Sequence, residues 1–409
     1  MEIRPIFASL RKHRIPALLI VLEIALACAV LCNAVFMISR RVADIRLPNA
    51  IDEQGITVVT LRGTDNTLAA SDIPRNLAAL HRIAGVHAVS VASSLPLTTN
   101  NWGWSFGLTP DATISDTKNV NASLYFLGEG GDQALGLRLL QGRFFNGAEY
   151  ADSKVGTAAL PDIHVVVVTR SMAEQFWPGQ PALGKTIYSK PYYYTVIGVV
   201  ADVLRPYIVG SDSSKAYLSV FYPLSAGGSN GALGYYVLRS APQDRDRVMR
   251  EAERTLGELN PAAVAKGQNF MDIRNKYFAD MSSMAWMLVL VCVVMVAVTA
   301  FGIVGLTSFW VSQRRRQIGI RRAVGATRGH IMQYFQVENF LLSTAGVALG
   351  MGLAYAINLY LMQHYEMLRM PWYYLPGGAV SLWLIGQLAV LGPARRAAAV
   401  PPVVATRSV

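Results

Sequence analysis

SQRRRQIGIRRAVGATRGHIMQYFQVEN, residues 312–339, carries six arginines and no acid before Glu338. The cations fall in a triplet, Arg314, Arg315 and Arg316, then a pair, Arg321 and Arg322, then Arg328, with Ile318, Ile320, Ala323 and Val324 set among them. A short helix along a membrane surface would carry those apolar residues on one side and the cations on the other. A cluster that only stops transfer across a bilayer accounts for the arginines, but not for the ordered Ile-Gly-Ile and Ala-Val-Gly-Ala between and after them.

Working outward, the segment lies between two long apolar runs, 284–311 and 340–362. Each exceeds the roughly 20 residues that cross a bilayer as helix. A third such run, 16–38, is interrupted only by Glu23 and Asn33; a fourth, 374–394, is broken by Gly and Pro. With 52% hydrophobic and 15% charged residues, the composition is that of a membrane protein with an attached globular part. The first run lacks a convincing small-residue cleavage site and reads as a retained anchor rather than a signal peptide.

Charge orients these crossings. Arg4, Arg11, Lys12 and Arg14 precede the first run, six arginines lie in 312–330, and Arg395, Arg396 and Arg407 follow the fourth, opposed only by Glu2; their combined excess slightly exceeds the net +11 of the whole chain. Four crossings place all three segments on one side, which the positive-inside rule makes the cytoplasm. Arg40 and Arg41 are discordant, and anionic lipid needs no help from nucleic acid to explain the basic balance. The expected partition is therefore 1–15 cytoplasmic, 16–39 first membrane helix, 40–280 external domain, 281–311 second helix with a stalk, 312–330 cytoplasmic segment, 331–362 third helix, 363–373 external loop, 374–394 fourth helix and 395–409 cytoplasmic tail. The fold class is four transmembrane α-helices plus a large α+β periplasmic domain inserted between helices 1 and 2.

The external segment alternates strand-like stretches (55–61, 86–93, 165–169, 192–200, 216–224, 234–240) with helix-like ones (73–85, 171–177, 245–261), an α+β pattern expected to form two lobes. GQPALGKT, 179–186, matches the phosphate-binding pattern G-x-x-x-x-G-K-[ST] letter for letter. Its context is reversed, however: a helix with Ser171 as N-cap precedes it, a strand-like stretch with Pro191 in a turn follows, and Pro181 removes one N–H from any cradle. His81, His87 and His164 are scattered, and Asp202 and Asp212 read as loop residues. Cys28, Cys32 and Cys292 lie in apolar runs without metal-ligand partners. SSLPLTTNNWGWSFGL, 93–108, has two readings: Trp102 and Trp104 line a binding surface, or they pack under the domain edge.

The 312–339 stretch resembles the coupling segment of MacB/FtsX-type ABC transporter permeases, the type VII or mechanotransmission group, whose pattern is approximately R-x-E-I-G-[IV]-x-[RK]-A-[LV]-G-A. Arg315, Ile318, Gly319, Ile320, Arg322, Ala323, Val324, Gly325 and Ala326 stand in its places, while Gln317 replaces the usual acid. Glu338 before LLSTAGVALG is similar to the next signature of the family, and PARRAAAVPPVVATR, 393–407, to its C-terminal ending. GVHAVS, LGLRLLQGRFF and SMAEQFWPGQPALGKTIY resemble its periplasmic domain, which makes the octapeptide a turn that happens to spell a P-loop.

The resemblance implies a non-catalytic subunit that pairs with a second permease copy or paralogue. A cytosolic ABC ATPase would dock on the coupling helix and hold ATP and Mg, leaving this chain without a cofactor or metal of its own. Only fifteen residues precede the first run, so the ATPase is expected to be a separate chain in the bacterial inner membrane system. Arg315, Arg321 and Arg322 are then docking candidates, with Gly319 and Gly325 allowing close approach, and a stalk at 270–285 would carry the stroke outward. Gly346 and Gly350 spell G-x-x-x-G and suit helix packing; Glu23 and Asn33 must face protein or headgroups, Glu23 by snorkelling, by pairing with the coupling arginines or in a functional role. Export of small amphiphiles, antibiotics or peptides, with or without an adaptor and outer-membrane channel, leads; lipoprotein release and regulation of a cell-wall hydrolase are the alternatives.

Overall fold

The computed structural model describes residues 14–64, 68–113, 116, 119–153, 160–208, 215–225, 234–365 and 369–401. Arg4, Arg11, Lys12, Asp212 and Arg407 lie outside them. The chain divides into two compact units, 1–46 with 281–409, and 47–280.

In the first unit four helices are long and apolar enough to cross a membrane: α1 Arg14–Ile45, α8 Ala279–Gln313, α10 Arg328–Tyr365 and α11 Tyr374–Ala398. α1 outruns the expected 16–39, so Arg40 and Arg41 ride on its last turns. α11 is continuous despite its Gly and Pro residues. Pro376 falls in the first turn, where a missing N–H costs no intrahelical bond, and neighbouring helices sustain the later interruption at Pro393.

The helices meet through small residues. A Cβ on Gly346 would come 3.0 Å from the Val21 carbonyl oxygen, and one on Gly350 would come 2.7 Å from that of Ala25. The G-x-x-x-G stripe of α10 thus lies directly against the backbone of α1, and the polar Asn33 crosses the same seam, its Nδ2 donating to the carbonyls of Ala29 (2.9 Å) and Ala354 (3.1 Å). Cys28 and Cys32 are buried in this seam with their sulfurs 4.0 Å apart. Glu23 lies against Gly302 of α8, where a Cβ would come within 2.6 Å of Oε2. Among the described residues it pairs with no arginine, contrary to the ion-pair reading.

The second unit is one eleven-stranded sheet in the order β11-β1-β10-β2-β4-β9-β6-β8-β5, with β3 on β4 and β7 on β8. The strands are β1 Ile56–Arg62, β2 Val86–Ala92, β3 Trp102–Phe106, β4 Val120–Leu127, β5 Leu139–Gly142, β6 Val165–Thr169, β7 Thr186–Ser189, β8 Tyr192–Val200, β9 Ser219–Pro223, β10 Tyr235–Ser240 and β11 Val264–Asn269. Instead of separate lobes there is a continuous sheet that narrows to a single residue pair, Ala92 opposite Leu127, between an antiparallel part and a mixed part. Both faces are covered, which is why VVVVT reads as an unbroken apolar run: Val166 and Val168 enter one cluster and Val167 the other. Helices α2 Ala69–His81 and α6 Arg245–Leu259 cover the first face, α6 through Val248, Ala252 and Leu256 at successive four-residue steps. Short helices α3 Gly131–Leu135, α4 Gly147–Asp152 and α5 Arg170–Phe176 fill the connections.

α4 begins with a capping box, Asn146 and Glu149 bonding each other's backbone N–H, while Arg143 grips the Glu149 carboxylate at 2.7 and 2.8 Å. The Arg143 hydrogen bonds hold the Glu149 carboxyl below its usual range. A depressed carboxylate contributes stability above its unfolded pKa and loses it as pH falls through its folded one. Glu149→Gln is therefore expected to lower the melting temperature at neutral pH, with the gap to wild type closing below the carboxylate range; a gap independent of pH would show that the charge contributes nothing.

Candidate functional site: the basic helix and its seat

The basic segment folds as α9, Arg315–Ala323, between the end of α8 and the start of α10. It ends in a Schellman arrangement: Gly325, at φ +103°, donates to the Arg322 carbonyl at 3.2 Å, and Ala326 donates to that of Arg321 at 3.0 Å. Thr327 then caps α10, its Oγ1 accepting from the His330 N–H at 3.2 Å. The Ala-Val-Gly-Ala that a topogenic arginine cluster leaves unexplained is thus a helix stop, and Gly325 is required for its backbone conformation rather than for close approach.

Three arginines fasten this helix inward. Arg314, one residue before it, is buried against Glu338 of α10 at 3.2 Å, with its guanidinium 5.5 Å from the Trp310 ring. Arg322 Nη1 donates to the Ala398 carbonyl at the end of α11 at 2.7 Å. Arg321 lies over the Tyr334 ring at 4.9 Å. Ile318 and Gly319 are buried on the same inner side, so Gly319 faces the helix's own support and not an incoming partner. Arg321 and Arg322, expected as docking residues, thus each also have a partner within this unit, while the Arg321 side chain stays exposed.

Exposed on the helix and its end are Arg315, Arg316, Gln317, Ile320, Arg321, Ala323 and Val324, with Ile320 48% and Val324 84% exposed. Two exposed aliphatic side chains one turn apart, flanked by cations without an acidic partner among the described residues, form a knob on a helix anchored at both ends. Sequence reasoning missed Arg314 as the keystone. Its signal was present in Glu338, the one acid of a stretch otherwise holding only arginine charge.

The octapeptide 179–186 binds no phosphate by this geometry. Helix α5 precedes it and β7 follows, and several of its N–H groups are spent within the protein: Gly179 on Glu174 Oε1, Gly184 on the Val196 carbonyl, Lys185 on that of Ala182. Lys185 Nζ donates to Gln180 Oε1 at 2.8 Å and sits over Trp177. Thr169 rather than Ser171 holds the N-cap position of α5 without a side-chain cap, and the Ser171 N–H donates instead to Asp202 Oδ1 at 2.7 Å. Trp104 Nε1 donates to Ser189 Oγ at 2.8 Å, as the packed reading of the 93–108 tract requires, while Trp102 lies edge-on to Phe126 and stays 37% exposed. His164 stacks on Tyr193, and among the described residues no group of three His, Cys, Asp or Glu could hold a metal ion. The expected stalk at 270–285 is interrupted: α7, Phe270–Tyr277, ends at Phe278 before α8 begins.

Two family models match, an FtsX-like permease C-terminal domain over residues 289–402 and a MacB-like periplasmic core domain over 22–255. The chain belongs to the MacB/FtsX-like family of ABC transporter permeases.

Among curated relatives of this permease is the macrolide export ATP-binding/permease protein MacB 1 of Aeromonas hydrophila, 30% identical over 315 residues, covering 74% of this chain and 46% of the relative. MacB of Neisseria gonorrhoeae is 26% identical over 282 residues, covering 66% and 39% respectively. The chain thus spans about half or less of the length of these relatives. Among solved structures, the periplasmic region of MacB from Actinobacillus actinomycetemcomitans matches at 17% identity and TM-score 0.36, covering 54% of this chain and 92% of that one. The permease is accordingly a membrane protein with a periplasmic domain of mixed α/β sheet.

Proposed function

We propose that this permease receives the stroke of an ABC ATPase on the outer face of α9 and uses it to move its periplasmic domain, driving export of small amphiphiles, antibiotics or peptides. The observation that carries the reading is the division of α9 into an anchored inner face and an outward knob of Ile320 and Val324 flanked by Arg315 and Arg316. A helix gripped by α10 and α11 through Arg314, Arg321 and Arg322 transmits a push without slipping. ATP and Mg belong to the ATPase in this reading, and both termini lie in the cytoplasm. A second permease copy completes the assembly, its membrane helices meeting the apolar side of α8, where Leu290, Val294 and Phe301 are exposed.

The test is co-purification in detergent with an ABC ATPase encoded beside the gene. Ile320→Asp with Val324→Asp is expected to abolish capture at unchanged expression and melting temperature, since each buried aliphatic contact contributes about 1.5–3 kcal/mol. Capture that survives this change, with intact protein, defeats the docking assignment. Lipoprotein release and hydrolase regulation remain distinguishable by what else co-purifies.

A further inference from the structure

β3 and β4 pair antiparallel with Gly103 opposite Ser123 and Ser105 opposite Asn121. Alternation sends Trp104, Phe106, Ala122 and Leu124 into the core on one side and leaves Gly103, Ser105, Asn121 and Ser123 on the other. Onto that polar side comes Arg205, only 5% exposed. Its Nε donates to Ser123 Oγ at 2.6 Å and its Nη2 to Asn121 Oδ1 at 3.0 Å; Ser123 in turn donates to Asn101 Oδ1 at 2.6 Å. Among the described residues no carboxylate approaches it and its Nη1 has no protein acceptor.

A guanidinium only 5% exposed and without a counter-charge is costly, several kcal/mol after relaxation by general experience, and neutral hydroxyl and amide oxygens offset only part of that. Burial accordingly weakens the hold of Arg205 on its proton without discharging it. Among the described residues the open capacity around it is also of one kind: Asn101 Nδ2 and Asn121 Nδ2, like Arg205 Nη1, are donors without a protein acceptor, and none of the three is sealed from solvent. They flank Gly103, where even a Cβ would lie 3.5 Å from both asparagines, so the floor between them is bare backbone. The neighbouring loop is tied to the same spot, Leu97 N–H donating to the Arg205 carbonyl and Thr99 N–H to that of Pro206, at the cost of left-handed φ of 63° and 64° in two non-glycine residues.

We propose that Arg205, Asn101 and Asn121 around Gly103 form a binding site on the periplasmic domain for the carboxylate of a small molecule, such as the C-terminus of a short peptide. The planar guanidinium matches a carboxylate, and the two amides supply further donors to its oxygens. A purely structural arginine, pinning β4 to the segment after β8, would need neither the missing counter-charge nor the bare floor.

The test uses the full chain in detergent and saturation-transfer NMR with N-acetyl-trialanine against its C-terminal amide. The acid is expected to bind at millimolar concentration and the amide about tenfold more weakly, the worth of one charge-assisted hydrogen bond. Arg205→Gln should abolish the difference. Asn121→Ala, which also removes an acceptor from Arg205, should lower the melting temperature modestly and weaken the acid severalfold when binding is read on the folded protein, which keeps the test open if Arg205→Gln does not fold. Acetate should displace the peptide; inorganic phosphate displacing it more strongly would overturn the carboxylate assignment. No signal from the acid, equal signals from acid and amide, or undiminished binding in Asn121→Ala overturns the site itself.

Discussion

Glu338→Ala should destabilise the membrane unit by about 3–5 kcal/mol, the usual cost of leaving one member of a buried ion pair alone. Arg314 and Glu338 side chains are 9% and 2% exposed and 3.2 Å apart, so removing the carboxylate leaves a guanidinium with no acid and no water. Trp310, 5.5 Å from Arg314, supplies a ring face but no negative charge to replace it. Replacing both partners by methionine removes the desolvation cost along with the attraction, and should come within about 1–2 kcal/mol of wild type. Denaturant titration in mixed micelles measures both. Because the pair sits at the root of α9, Glu338→Ala should also loosen ATPase capture while the double variant retains it. A single variant as stable as wild type would show that the pair does not hold the helix.

The second large effect lies at the α1 and α10 seam. A Cβ on Gly350 would stand 2.5 Å from Cys28 Cβ and 2.7 Å from the Ala25 carbonyl oxygen, and backbone cannot swing aside as a side chain does. Gly350→Ala should therefore cost about 1–3 kcal/mol by overpacking, although alanine is the better helix former by about 1 kcal/mol. Gly350→Leu should separate the two helices and prevent recovery of folded protein. Gly352 is the control two residues away: nothing lies within 4 Å of a Cβ there, so Gly352→Ala should be neutral or stabilising. Equal behaviour of the two alanine variants would mean that the glycine stripe is a matter of composition and not of packing.

Much of the architecture was legible because it rests on local properties. Hydropathy over about 20 residues marks a membrane helix whatever it packs against, and the alternation within β1, β2 and β8 marks strands in the same way. The errors fall where local signals conflict with neighbours. The Gly and Pro of 374–394 make it the weakest of the four expected helices, yet Gly378 and Gly386 are the points where Cys32 and Ser343 of the adjoining helices fit. β3, β5 and β11 carry weak strand patterns and exist because partners were available beside them.

The candidate site divides along the same line. Its presence, cationic character and Gly-terminated helix follow from eleven consecutive positions, 315–325, and so does its family resemblance. Which of its arginines are free does not follow from them. Arg314 is committed to a residue 24 positions away and Arg322 to one 76 positions away, while Arg205 meets Asn121 across 84. Hydropathy, helix stops and charge sums are properties a short segment carries with it. The partner of a buried charge is set by where distant segments come to rest, because in a low-dielectric interior only groups in contact can satisfy it.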